Sequence, residues 1–433
     1  MNKLFRRGII ALILAALLVG GIGFFLFEYF TQGQKWATQI RNPHLYTGGI
    51  LDDLRITDRN GVLLFSSENG SIVWHEDEGI RRAVVHVIGD LRGNISSGVL
   101  LRYRERLINF GYFDGVYRYV NGGATLKLTI DANLCAAARQ ALDGYDGAIG
   151  VYNYQTGEVY AMVSTQAIDP AFPPTQAQEG AYINRFLSSV YTPGSIYKIV
   201  TLQAAIESLP DLDEKIFECH GKCEIGGEVV TCSGYHGRQD IAQAFANSCN
   251  CAFGELAVSV GAEKLKECAD RAGLTSEGMF DGIPTGAGWI EVQDDAPANL
   301  AWAGIGQHTD TVNPAAFLRY VGAIANDGVA VSMTLTKPTG QTEAIMDAQT
   351  AQRLADYMHN NVDKQYGAWR FGEYTVGAKS GTAQQDSGLA HSVFTGFVAG
   401  DEMPIAFFVI AEHAGVGQGV AMQAAAAVVQ KLK

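Results

Sequence analysis

The chain is short of charge, and of positive charge most of all. Only 18% of its 433 residues are Asp, Glu, Lys or Arg, with 32 basic against 45 acidic residues and a net charge of −13. A nucleic-acid partner requires a basic face to neutralise phosphates, so that class of partner is not expected. No internal repeat and no low-complexity tract is present, which sets aside repeat architectures. No cysteine follows the N-terminal apolar run closely enough for lipid attachment. What is abundant is apolar surface. Hydrophobic residues make up 47%, as in a globular protein that also carries a membrane element, and the length suffices for one large domain and a smaller one, or two to three ordinary ones.

Residues Gly8 to Phe27 run without interruption through apolar side chains, preceded by Lys3, Arg6 and Arg7 and closed by Glu28. A stretch of about 20 apolar residues crosses a bilayer, and the basic flank keeps the N-terminus in the cytoplasm. A cleaved signal peptide is the competing reading. The run is longer than a signal core and continues into Phe24-Phe25-Leu26-Phe27 rather than a small-residue cleavage site. The expectation is a cytoplasmic tail at 1–7, an uncleaved single-pass anchor at 8–28, and everything beyond it outside the cytoplasm.

Seven cysteines on that outer side permit disulfides, and the odd count leaves at least one thiol unpaired in a monomer. Cys219, Cys223 and Cys232 with His220 and His236 have the look of metal ligands. Their spacing, C-x3-C then C-x3-H, departs from the common zinc patterns. A Cys219–Cys232 disulfide and free structural thiols are the alternatives, and no metal is expected. Cys135, Cys249, Cys251 and Cys268 read as buried apolar thiols.

Two compositions follow the anchor. Residues 29–123 are polar and turn-rich, with Arg41-Asn42-Pro43 just outside the membrane and Ile56 to Leu64 reading as two strands about an Asn60-Gly61 turn. This stretch is expected to be a pedestal. From 124 to 433 the pattern changes. Leu126 to Ile130 alternates like a strand, Asp131 caps a helix through Leu142, and Gly147–Tyr154 and Glu158–Ser164 form a hairpin. Phe371–Ala378, His391–Ala399 and Pro404–Ala411 are strand candidates, Ala421–Lys433 is an alanine-rich helix, and the middle is mostly helical apart from a cysteine-rich insert at 217–238. The fold class is therefore α+β, an antiparallel sheet built from the two ends of the domain with a helical lobe between them.

The chemistry is carried by three short patterns in order. Ser195 and Lys198 stand three apart at a helix start after Pro193-Gly194; Ser248 and Asn250 flank Cys249; and Lys379-Ser380-Gly381-Thr382 lies on a strand. A serine hydroxyl is a poor nucleophile and needs a base within reach, which a lysine at i+3 of a helix supplies. Unpaired amides at the helix start can hold an oxyanion. Lys198 must be neutral part of the time, and burial beside a second cation, for which Lys379 is the candidate, lowers its pKa. Ser248 can relay a proton, and Asn250 can hold Lys198 and substrate backbone. Gly377 and Gly381, lacking side chains, leave room for a substrate peptide to add as a strand. Ser-x-x-Lys alone should occur about once by chance in such a chain. The order of all three is the signal.

In these patterns the chain resembles class B penicillin-binding proteins, the bitopic peptidoglycan D,D-transpeptidases. Further matches are Arg41-Asn42-Pro43, Asp58-Arg59-Asn60-Gly61, His86-Val87-Ile88-Gly89, Thr156-Gly157, Asn184-Arg185, His236-Gly237 and Phe394-Thr395-Gly396-Phe397. The resemblance implies a penicillin-binding/β-lactamase-like transpeptidase domain. In it Ser195 is acylated, Lys198 is the base, Ser248 and Asn250 relay protons, and Lys379, Ser380, Gly381 and Thr382 meet the substrate tail. The amides of Ser195 and Thr382 would form the oxyanion hole. It implies stem peptides and β-lactams as ligands, a separate multi-spanning glycan polymerase as partner, and no cofactor. Ser380 in place of the commoner threonine, Ala378 in place of glycine, and Tyr197 in place of an apolar residue depart from the family pattern, and Tyr197 is expected to pack. Three alternatives stay open. A β-lactam hydrolase would need a water-activating group, which is not identifiable; a sensor would need an output module, and about seven residues precede the span; a scaffold could retain the site unused. A D,D-carboxypeptidase is the nearest variant.

Overall fold

A computed structural model describes residues 2–39, 46–47, 50–51, 53–68, 71–115, 117–119, 124–142, 144–384 and 388–432; Arg41-Asn42-Pro43 lies outside them. The apolar run is part of one helix, Asn2–Ala37, of 36 residues. At 1.5 Å per residue it is about 54 Å long, well beyond the ~30 Å of a hydrocarbon core. It is long and apolar enough to cross a membrane, and the chain buries none of its apolar stretch. Its last turns carry an aromatic cluster instead. Tyr29 and Phe30 pack on Tyr112 at ring separations of 5.5 Å, the Tyr29 hydroxyl donates to the Tyr112 carbonyl, and Gln34 Nε2 donates to the Ile108 carbonyl.

Next comes a four-stranded sheet in the order Ser71–Trp74, Leu63–Glu68, Leu54–Thr57, Ala124–Lys127. The expected Asn60-Gly61 turn joins its first two strands in sequence. Asp58 holds that turn by accepting from the amides of Asn60 and Val62, and it also reaches the Ala132 amide. The strand expected at Leu126 to Ile130 is found at Ala124–Lys127, and it joins this sheet, parallel to Leu54–Thr57. That register puts Leu126 beside Ile56, both buried. Asp131 then caps the helix Ala132–Ala141 by accepting from the Leu134 amide.

Five strands form the catalytic sheet: β1 Gly147–Asn153, β2 Val159–Thr165, β3 Val376–Ala383, β4 His391–Val398 and β5 Ile405–Ala411. Their order is β2-β1-β5-β4-β3, antiparallel throughout. Both ends of the domain thus build one sheet around a helical lobe, as expected. β3 begins later than the sequence indicated. Gly367 and Gly372 adopt positive φ (83° and 68°) and bracket a 3-10 turn at Ala368–Phe371 that ends any strand there. Strands buried on both faces need helices on each side. Ala132–Ala141 and Val420–Val429 cover one face, and Pro314–Ala325 and Ala348–Asn361 the other. The cysteine-rich insert is a hairpin of Phe217–Ile225 and Glu228–Gln239.

The membrane-proximal part is fastened to the catalytic part through Asp281. Its carboxylate accepts from the Tyr103 hydroxyl (2.6 Å), Arg106 Nη1 (2.6 Å), and the Thr334 hydroxyl and Leu335 amide (3.0 Å each). Burial alone would raise the Asp281 pKa, but the bonds from Tyr103 and Arg106 outweigh it and hold the group below the usual carboxylate range. A depressed carboxylate contributes stability that is present above its unfolded pKa and lost as pH falls through the folded one. Asp281→Ala is expected to destabilise the chain by about 2 kcal/mol, since it strands buried donors while Arg106 keeps access to water. The loss should disappear in strongly acid solution; urea titrations at neutral and acid pH measure both.

Candidate active site

Ser195 reaches the cleft because the backbone in front of it does something only glycine does readily. Gly194 has φ +57°, its amide donates to the Gly306 carbonyl, and the 3-10 turn Gly194–Tyr197 leads directly into the helix Lys198–Ser208. A Cβ on Gly194 would lie 2.5 Å from the Thr382 carbonyl oxygen. The turn is therefore pressed against β3. Gly194→Ala is expected to displace Ser195 and slow its acylation about 10²-fold, read as the rate of fluorescent penicillin labelling with the circular dichroism spectrum unchanged.

Lys198 is fully buried. Its Nζ donates to Ser195 Oγ (3.1 Å), the Ser248 carbonyl (2.6 Å), Ser248 Oγ (3.3 Å) and Asn250 Oδ1 (2.7 Å). Lys379, also fully buried, donates to Ser248 Oγ and the Ser380 carbonyl, each at 2.9 Å. Two amines thus share one hydroxyl, and among the described residues neither is paired with a carboxylate. Burial brings Lys198 down to about 8, and burial together with repulsion from Lys198 takes Lys379 well below the ordinary lysine value. The expected lowering of Lys198 by Lys379 is not what the structure gives: burial lowers Lys198, and the repulsion between the amines lowers Lys379 instead. Phe253 and Phe245 each face one of the two amines at 5.7 Å.

Ser248 has φ +53°, a conformation unusual for a residue with a Cβ. It ends the segment after the helix Ile241–Ala246, and Cys249 then caps the helix Asn250–Val260. The Asn250 side chain divides its work: Oδ1 accepts from Lys198, while Nδ2 donates to the Thr231 carbonyl of the insert hairpin. Ser380 is held by Tyr366, whose hydroxyl takes the Ser380 amide and meets Ser380 Oγ, both at 3.0 Å. Thr382 Oγ1 accepts from the Gly417 amide. Gly381 has a different reason to be glycine from the one read in the sequence. A Cβ there would meet the Pro193 carbonyl at 2.8 Å, and one on Gly377 would strike the Phe397 ring at 2.5 Å. Both glycines make room for the protein itself.

All eight candidate residues converge on one region, and Ser195, Ser248, Asn250, Ser380 and Thr382 line a cleft of ≈ 460 Å³. Cys232 lines it as well, and among the walls not singled out in the sequence are Thr231, Ser233, Trp302, Gln307, Gln384, and Val416 to Gln418. Gln307 Nε2 donates to the Thr382 carbonyl. The only sequence signal for the last wall is the glycine-rich Gly415-Val416-Gly417-Gln418-Gly419 after β5. Tyr197 packs, as expected: it is buried and is not among the residues that line the cleft. All seven cysteines are free thiols, so the Cys219–Cys232 disulfide is not formed. Cys249 is buried but not in apolar surroundings: Cys219, Cys232, His236 and Cys249 place their ligand atoms within 4.8 Å of one another.

A buried amine against a serine at a helix start, with a second amine across a shared hydroxyl and a cleft in front, is the apparatus of serine acyl transfer. Residues 147–432 match the family model described as the penicillin binding protein transpeptidase domain. The chain belongs to that family, among its class B members. It is 30% identical over 291 residues to Stage V sporulation protein D of Bacillus subtilis, an alignment covering 61% of this chain and 45% of that protein. It is 27% identical over 348 residues to peptidoglycan D,D-transpeptidase PbpA of Mycolicibacterium smegmatis, covering 68% of each. The ceftriaxone acyl-enzyme complex of penicillin-binding protein A from M. tuberculosis has the same fold, with a TM-score of 0.72 at 21% identity over 87% of this chain and 97% of that one. The chain thus spans between about half and two thirds of the length of these two curated relatives.

Proposed function

We propose that this protein is a membrane-anchored peptidoglycan D,D-transpeptidase that works through a Ser195 acyl-enzyme. The observation that carries the reading is the unbroken line of contacts from Ser195 Oγ to Lys198 Nζ to Ser248 Oγ to Lys379 Nζ, at 3.1, 3.3 and 2.9 Å. Lys198, lowered towards neutrality by burial, takes the Ser195 proton as Oγ attacks the carbonyl of the penultimate D-Ala. The new C–O bond forms, and the oxyanion rests on the amides of Ser195 and Thr382. Collapse breaks the C–N bond, and the terminal D-Ala leaves with a proton delivered from Lys198 through Ser248. Asn250 keeps Lys198 aimed; Lys379, Ser380, Gly381 and Thr382 form the wall that receives the carboxylate tail. An amine of a second stem peptide then attacks the ester, losing its proton along the same line, and frees Ser195. A β-lactam opens by the same first step, its leaving nitrogen remaining tethered. The steps use protein groups alone.

The reading extends to the whole chain. The proposed organisation is a cytoplasmic tail at 1–7, an anchor at 8–28, a pedestal at 29–123 and a transpeptidase domain at 124–433, with the cleft outside the membrane. The anchor and pedestal are the docking surface for a multi-spanning glycan polymerase. The absence of a carboxylate on either lysine among the described residues favours transfer to an amine over rapid hydrolysis of a β-lactam ester. The test is chemical. Full-length protein in detergent, given a stem pentapeptide and a D-amino acid as acceptor, should release D-Ala and form the exchanged peptide, both read by mass spectrometry. Release without exchange would make it a carboxypeptidase, and neither release nor β-lactam adduct would leave only a scaffold.

A further inference from the structure

The four side chains Cys219, Cys232, His236 and Cys249 come from three places: one strand of the insert hairpin, its partner strand, and the N-terminal cap of the helix Asn250–Val260. Their ligand atoms all lie within 4.8 Å of one another. Cys232 Sγ is 3.5 Å from His236 Nδ1 and 3.9 Å from Cys249 Sγ. Neither separation is that of a covalent bond, and both match the edges of a tetrahedron. With metal–sulfur bonds of about 2.3 Å and metal–nitrogen bonds of about 2.1 Å, those edges are about 3.8 Å between sulfurs and about 3.6 Å from sulfur to nitrogen. The surroundings suit thiolates. The Asn250 amide donates to Cys232 Sγ at 3.2 Å, and the Ala252 amide, in the first turn of its helix, donates to Cys249 Sγ at 3.5 Å. Main-chain donors of this kind orient metal-bound sulfurs and share their charge. Cys219 and Cys249 are fully buried, Cys232 and His236 partly so, and four protein ligands complete a tetrahedron without an open position.

We propose that Cys219, Cys232, His236 and Cys249 bind one zinc ion as a closed, structural Cys3His site. Three soft thiolates and an imidazole select zinc over calcium or magnesium, which take oxygen ligands. The ion has no part in the acyl-transfer steps. Its place in the chain gives it a different task. Cys249 stands between Ser248 and Asn250, and Asn250 also spans from Lys198 to the hairpin through Thr231. The metal ties the hairpin to the residue on which Ser248 and Asn250 are both hung, and so positions them against the two lysines. This site stands on its own geometry and holds whether or not the acyl acceptor is an amine.

Full-length protein purified in detergent without chelators is expected to contain about one zinc per chain by elemental mass spectrometry. Exchange for cobalt should give the intense visible absorption of tetrahedral thiolate coordination. Removing the metal should lower the rate of penicillin labelling by about 10- to 100-fold, and added zinc should restore it. Cys232→Ser and His236→Ala should each lose the zinc; if either variant fails to fold, the cobalt spectrum of the unaltered protein still decides. Ser195→Ala should retain full zinc while losing the label, which separates this proposal from that of the nucleophile. A metal-free chain with normal labelling, a tetrahedral signal that survives both ligand substitutions, or a disulfide joining any two of the three cysteines in non-reducing peptide maps would overturn it.

Discussion

Ser195→Ala protein is expected to carry no covalent label after incubation with a fluorescent penicillin, a loss of about 10⁴-fold or more in acylation. The strength of this test lies in its competitor. Ser248 also presents a hydroxyl to Lys198, at 3.3 Å against 3.1 Å for Ser195, and Lys379 adds a second amine at 2.9 Å. Proximity to a base does not by itself choose between them. Position does: Ser195 opens the turn into the helix Lys198–Ser208, where main-chain amides are free to face a developing oxyanion, and it does so at the cleft surface. Ser248 lines the same cleft but is clamped between the amines of Lys198 and Lys379. Peptide mapping of the adduct should find it on Ser195 alone. An adduct on Ser248 in either protein would reverse the assignment.

The second large effect is expected from Lys198. Lys198→Ala should slow acylation by about 10³- to 10⁴-fold, the upper part of the range for losing a positioned base. Stability should change far less. The substitution leaves the Ser248 carbonyl and Asn250 Oδ1 without their donor, which costs about 1–3 kcal/mol each if no water enters, but it also removes a buried amine that no carboxylate among the described residues neutralises. The sharper variant is Lys198→Arg. A guanidinium keeps donors and charge but does not give up its proton in a protein, so it should be as slow as alanine. Burst kinetics with a chromogenic cephalosporin measure both. An arginine variant within tenfold of the unaltered protein would mean that Lys198 supplies charge and not basicity.

What could be read in the sequence was local. The Asp131 cap, the Gln155-Thr156-Gly157 hairpin and the i,i+3 pair of Ser195 and Lys198 each depend on neighbours a few residues away, where helix and turn geometry decide who meets whom. The three patterns could be joined into one site only through the family resemblance. Nothing within 131 residues of chain says that Lys379 will share a hydroxyl with Lys198. The need for glycine at 381 was equally hidden, because the crowding that requires it comes from Pro193 and Ile196. The thiol cluster was hidden for a similar cause. Spacing rules for zinc assume ligands close in sequence on one small motif. Here they are separated by a hairpin whose register slips on either side of His220, and the fourth comes from a helix start.

The close approaches around the nucleophile also limit how this protein can change. A Cβ on Gly306 would lie 2.1 Å from the Gly194 carbonyl oxygen, one on Gly194 2.5 Å from that of Thr382, and one on Gly417 2.2 Å from that of Gly381. These surfaces of the cleft are main chain meeting main chain, with no side chain to exchange. Under drug selection, substitutions that keep the natural substrate while excluding a β-lactam are therefore expected where side chains line the cleft, at Thr231, Ser233, Trp302, Gln307, Gln384 and Gln418 among them. Resistance would have to evolve through those side chains, with the glycine contacts around the nucleophile held constant.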